Sequence, residues 1–253
     1  MHRSILLPFL MLSLFSMATA QGAGLAELID TAGTQRMLTQ RMMKNYALLG
    51  MGIHTGNTQR ELRDSVARFD ANLERLEKAG LGPEVAQRLA EVKKEWQPIR
   101  EQLLEPPEKE RAAGLHEALD RLMAHSQGVV DALTKKSGSE QGEVVGLAGR
   151  QRMLSQRMAA LYALSAWRIE DFPFMEKFQE TVETFRRAHE RLLASELTTP
   201  AIRKLLQKTE KSFRWFEYSA ARKSDRFIPS LILRASDDIL HQMNEATRRY
   251  AGG

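Results

Sequence analysis

One segment of this chain is written twice. Residues 32–48 read Ala-Gly-Thr-Gln-Arg-Met-Leu-Thr-Gln-Arg-Met-Met-Lys-Asn-Tyr-Ala-Leu, and residues 148–164 read Ala-Gly-Arg-Gln-Arg-Met-Leu-Ser-Gln-Arg-Met-Ala-Ala-Leu-Tyr-Ala-Leu. The offset, 148 against 32, is 116 and needs no gap. Such repetition marks a duplicated structural unit, so the fold has to house the same segment twice. The correspondence extends past the motif. Phe69 pairs with Phe185, and Glu74-Arg75-Leu76 with Glu190-Arg191-Leu192, at the same offset. Pro83 and Pro200 open equivalent helices, with Trp96 and Trp215 inside them.

Helix formers dominate, Gly and Pro sit mostly at junctions, and no period-2 strand pattern occurs. The first half reads as four helices. The first spans about Leu25 to Ile53. The second starts at Thr58 with Glu61 as a capping box and runs to Ala79. Gly80-Leu81-Gly82-Pro83 is a stop followed by a first-turn proline. In the third helix Val85, Leu89, Val92 and Trp96 form a core-facing stripe. Pro98 is expected to kink or end it, Pro106-Pro107 to break the chain, and a fourth helix to run from about Glu108 to Lys136.

Lys135 to Gly142 is the linker-like stretch between the halves, which a continuous helix could also cross. The second half then repeats the layout. Its motif helix ends near Asp171-Phe172-Pro173, a second helix runs to about Ser195, Pro200 opens the third and the fourth follows Pro229. The expectation is an all-α fold of two tandem antiparallel four-helix modules, residues 21–138 and 139–253, packed as a pseudo-two-fold pair.

Residues 1–20 read as a cleaved secretory signal. His2 and Arg3 precede an apolar run from Ile5 to Phe15, and Ala18-Thr19-Ala20 is a small-x-small cleavage site. The run is shorter than the roughly 20 residues a bilayer span needs. No later stretch is apolar enough to span, so a soluble, periplasmic protein beginning at Gln21 is expected. With no cysteine, disulfides, thiol catalysis and thiolate metal sites are excluded. The net charge of +5 is mild and interspersed, which argues against nucleic acid as a partner.

On a helix, Gly33, Arg36 and Gln40 share one face, and Gly149, Arg152 and Gln156 form its copy. A Gly one turn before an Arg lets a partner helix or small ligand approach the backbone. The Arg supplies planar charged donors and the Gln a neutral donor and acceptor. Two such faces brought together favour a small anion with several oxygens between the cations. Arg41 and Arg157 are turned away and are expected to pair with acidic groups on neighbouring helices. The bland alternative for the same spacing is a helix-packing seam.

The motif resembles that of the periplasmic sensor domain of type IV pilus chemoreceptors (PilJ type), and is related to the signature region of nitrate/nitrite sensor kinases (NarX type). The resemblance covers nearly the whole mature chain. In the kinases, a nitrate ion sits between symmetry-related Arg of two Gly-x-x-Arg-Met segments in a dimer. Carried over by position, this implies Gly33 with Arg36 and Gly149 with Arg152, with one chain building in cis what the kinases build by dimerisation. The kinases carry a Lys before Ala-Gly, where this chain has Thr31 and Leu147.

Other chemistry is not indicated. The six histidines are scattered, and Asp238-x-x-His241 lacks the partners of a di-iron site. There is no nucleotide loop, zincin pattern or nucleophile elbow. Trp96, Trp215 and the surrounding Phe213 and Phe216 read as core, with an exposed partner surface as the alternative. The expectation is a non-enzymatic sensor-type binding protein without cofactor or metal. It would take nitrate or nitrite between Arg36 and Arg152 and act with a membrane sensor kinase or chemoreceptor. The alternative is a ligand-free helical protein whose motif helices dock on a chemoreceptor or pilus-associated partner.

Overall fold

A computed structural model describes residues 11–53, 55–169, 173–221 and 229–252. Eight helices and no strand occur among them: α1 (Met11–Gly50), α2 (Thr55–Lys78), α3 (Pro83–Leu104), α4 (Ala112–Ser137), α5 (Glu140–Ala166), α6 (Phe174–Ala194), α7 (Pro200–Ala221) and α8 (Pro229–Tyr250). The two motif helices, α1 and α5, pack on each other as the central pair. α1 also packs on α2 and α4, and α5 on α6 and α8, while α3 covers α4 and α7 covers α8. The result is two four-helix modules joined along the α1–α5 seam.

The motif helices are buried nearly all round, from Thr31 to Leu48 on α1 except Arg41, and over most of α5. That follows from their sequence, since Ala, Gly, Met, Leu, Thr and Gln surround each of them rather than one stripe. The outer helices are amphipathic. α3 buries Val85, Leu89, Val92, Trp96, Ile99 and Leu103 at helical spacing.

Between the modules the chain breaks. α4 ends at Ser137, Gly138 takes a left-handed conformation (φ 56°), and Ser139 caps α5 by accepting the Gly142 N–H at 3.1 Å. A helix continuous across the linker is therefore not formed.

Several local expectations are corrected. α1 reaches back beyond Leu25 to Met11, the first described residue, inside the segment read as a leader. α2 begins at Thr55 rather than Thr58, and the Thr58 hydroxyl donates back to the Ile53 carbonyl (3.3 Å) instead of opening a capping box. Pro98 does not end α3: the helix carries on to Leu104. An interior proline costs about 3 kcal/mol. Burial of Ile99 and Leu103 beyond it offsets this, at roughly 1.5–3 kcal/mol per side chain. α4 starts at Ala112 rather than Glu108, because the Tyr46 hydroxyl accepts from the Glu108 N–H (2.9 Å) and holds that residue outside the helix. Asp171 and Phe172, where the second motif helix was expected to end, lie outside the described residues; α5 ends at Ala166.

Trp215 is also reassigned. Pro83 and Pro200 are 117 apart, so Trp96 corresponds to Phe213. Phe69 meets Trp96 at a centroid distance of 4.2 Å, and Phe185 meets Phe213 at 4.3 Å. Trp215 is 47% exposed. The duplicated halves keep the aromatic contact while changing the ring.

The seam ends at Gly50, where a β-carbon would lie 2.1–2.8 Å from the Trp167 ring. Trp167 in turn packs edge-on against Tyr46 at 6.1 Å. Gly50→Ala is expected to lower stability by about 1–3 kcal/mol through overpacking, read as a lower urea midpoint with unchanged slope.

Candidate functional site

The two motif glycines face each other across the seam. A β-carbon on Gly33 would come within 3.9 Å of the Gly149 Cα, and one on Gly149 within 3.8 Å of the Gly33 Cα. The same two positions lie against both guanidinium groups. From Gly33 the Nη2 atoms of Arg36 and Arg152 would be 3.2 and 3.4 Å away, and from Gly149 they would be 3.2 and 3.1 Å away. Two Gly-x-x-Arg segments thus bring their arginines to one place, with no side chain on either glycine to separate them.

Each arginine is held by its own module and reaches into the other. Arg36 donates through Nη1 to Gln127 Oε1 on α4, and through Nη2 to the Gly146 carbonyl on α5 (3.1 Å). Arg152 donates through Nη1 to Asn244 Oδ1 on α8 (3.2 Å), and through Nη2 to Asp30 Oδ1 on α1. Gln127 and Asn244 are equivalent at the helix offset of 117, and Asp30 and Gly146 at the motif offset of 116. One exchange breaks the symmetry: Arg152 meets a carboxylate where Arg36 meets a backbone carbonyl.

Both arginines are buried, Arg36 at 1% exposure and Arg152 at 3%, and the Nε–H of each lacks a hydrogen-bond acceptor. Burial, then the charges of Arg152 and Arg150, push the Arg36 pKa down to about 9, while Asp131 and Asp30 oppose this. A buried cation beside another cation is costly unless paired. The site is therefore short of negative charge.

The other four positions of interest divide differently. Gln40 donates to Asp120 Oδ1 (3.2 Å) and Gln156 to the Ser236 hydroxyl (2.8 Å), so neither glutamine is aimed at the arginine pair. Arg41 approaches Glu61 at 3.4 Å, and Arg157 grips both carboxylate oxygens of Asp120 at 2.5 and 2.9 Å, which is the structural pairing their place on the helix suggested. Lys44 on α1 reaches Asp237 on α8 at 3.3 Å. Arg157–Asp120 and Lys44–Asp237 cross between modules on opposite sides of the seam, and Asp120 and Asp237 are equivalent at the offset of 117. Burial raises the Asp120 pKa, but hydrogen bonds from Arg157 and Gln40 and the Arg157 charge outweigh it, leaving the carboxyl below its usual range.

Sequence reasoning missed Asp30, Gln127 and Asn244. The signal was available for the last two: once Pro83 and Pro200 set the offset of the later helices, Gln127 and Asn244 fall on the same register as two amides. Asp30 falls on the position of Gly146, which carries no side chain, so the repeat could not flag it. No group of His, Asp and Glu that could hold a metal occurs among the described residues, and no described helix is long and apolar enough to cross a membrane.

Comparison with known families gives one match. The family described as the type IV pili methyl-accepting chemotaxis transducer N-terminal domain, PilJ, matches residues 17–122 and again residues 133–244. No curated protein and no solved structure matches the chain.

Two outcomes test these electrostatics. Arg36→Met is expected to raise the stability of the protein by about 1–4 kcal/mol, because it removes a buried charge that no carboxylate pairs directly. Arg152→Met is expected to lower it by about 1–3 kcal/mol by leaving the Asp30 carboxylate without its donor. Urea unfolding of both variants reads the difference. The second outcome concerns His116, buried beside Asp120. Burial, then Arg157 and Lys177, hold its pKa down at about 4 from 6.5, against Asp120. The unfolded chain binds the proton first, so stability falls as pH drops from 6.5 to 4, by about 3 kcal/mol. His116→Leu, the residue found at the equivalent Leu233, should flatten that part of the pH–stability curve.

Proposed function

The chain belongs to the PilJ family over most of its length, and from that premise we propose that it is a sensor-type binding protein for a small planar oxyanion, nitrate or nitrite first. The anion sits between Arg36 and Arg152, over the contact of Gly33 with Gly149. The convergence of both Nη2 atoms on that glycine contact carries the reading. Charge-assisted bonds from two planar guanidinium groups suit a planar anion, and the bare glycines let both groups come together there. One anion then serves one chain, because both arginines come from the same molecule.

Binding there bridges α1 and α5, the two helices that join the modules. A ligand that neutralises the seam favours the state in which the modules are clasped, and that state is what a membrane-bound chemoreceptor or kinase would read. The periplasm is the compartment that fits this role. A second reading has its own support: the close glycine approach and the engaged Gln40 and Gln156 also suit a helix seam whose task is to present a docking surface.

Calorimetry on the full chain separates the two readings. Nitrate or nitrite should bind at one per chain, more tightly than chloride. Arg36→Ala and Arg152→Ala should each lose about 1.5–3 kcal/mol of binding free energy, the worth of a charged hydrogen-bonding partner, while Arg41→Ala keeps its affinity. Absence of heat with nitrate, nitrite, chloride and sulfate would leave the docking surface as the function.

A further inference from the structure

The arginine pair is not symmetric, and Asp30 is the reason. Its Oδ1 accepts from Arg152 Nη2, the same nitrogen that lies against both glycines. The equivalent position on α5 is Gly146, which offers Arg36 only a carbonyl. At the glycine contact two guanidinium groups, Arg36 and Arg152, meet one carboxylate, Asp30, so the place carries one positive charge.

Resting on the reading of this place as an anion site, we propose that Asp30 is a tethered anion that sets its specificity. In the unliganded chain the Asp30 carboxylate occupies the Arg152 half of the site. An incoming anion takes over the Arg152 Nη2 donor and leaves Asp30, which is partly exposed at 27%, to turn to water. A singly charged anion balances the single positive charge. A doubly charged one leaves an excess negative charge close to the Asp30 carboxylate, which is only partly exposed, so their repulsion is incompletely screened. Asp30 thus lowers affinity for every anion and excludes divalent ones most.

The test uses the full chain and its Asp30→Asn variant, titrated calorimetrically with nitrate and with sulfate. Asp30→Asn should bind nitrate on the order of tenfold more tightly, the worth of one charge-assisted hydrogen bond no longer in competition, and should gain measurable sulfate binding. Gly146→Asp provides the opposite change without opening the core. A β-carbon there would meet Thr134 Oγ1 at 3.5 Å, Val130 at 3.7 Å and Ile29 at 3.9 Å, ordinary contact distances. Its carboxylate would give Arg36 the partner that Arg152 already has, and nitrate binding should be lost while the protein stays folded. Nitrate binding by the variant alone would also support the proposal, with Asp30 closing the site fully. If the wild type binds nitrate and Asp30→Asn binds it equally or more weakly, or Gly146→Asp binds it unchanged, the role of Asp30 is overturned and the site stands. If neither wild type nor Asp30→Asn binds either anion, the site itself falls and Asp30 is a structural ion pair.

Discussion

Two helices can approach closely only where side chains allow it, and in this protein Gly33 and Gly149 supply that allowance. Their contact sets the distance between α1 and α5, and everything else follows from it. At that distance the arginine one turn further on each helix meets its copy. Each guanidinium then has to be steadied by an amide from its own module, Gln127 or Asn244, and to borrow an acceptor from the other. The surrounding helices bury the pair. A seam of this kind would be more stable if lined with Leu and Met, as buried charges seldom repay their desolvation. Two arginines are nonetheless buried at this contact of glycines.

Away from the seam, duplication has been followed by compensated change. Trp96 needs an acceptor for its indole N–H and finds Asp70 at 2.7 Å, which also pairs with Arg100 at 2.9 Å. Phe213, in the equivalent place, needs no acceptor. There the Asp70 position holds Arg186, the Arg100 position holds Glu217, and the ion pair is kept at 2.9 Å with its polarity reversed. Buried amides show the same economy: Gln35 and Gln151 donate to the Phe69 and Phe185 carbonyls at 3.3 and 3.0 Å.

The repeat made the fold legible. An all-helical chain with a gapless internal copy fixes two modules of four helices, and Pro83, Pro106 and Pro200 mark real boundaries. Helix periodicity also placed Gly33, Arg36, Gly149 and Arg152 on one face each, and turned Arg41 and Arg157 away. It failed where a single residue answers to tertiary contacts. Pro98 is carried through by the apolar stripe on either side of it, and the α4 start is moved by a hydroxyl on α1. Gln40 and Gln156 share the arginine face on a helical wheel, yet each is drawn to a neighbouring helix by Asp120 or Ser236. A wheel gives direction around one axis and contains nothing about what stands opposite.

The reversed ion pair has a consequence for how the chain finds its fold. Two modules of like sequence invite mispairing, with α2 laid on α7 or α6 on α3. The first error would set Asp70 against Glu217, and the second Arg186 against Arg100. Each correct pair attracts and each exchanged pair repels. At these partly exposed positions the difference per contact is on the order of 1 kcal/mol or less, yet it acts at both wrong junctions at once. The polarity of one salt bridge thus works as an address, by which each half of a self-similar chain recognises its own helices.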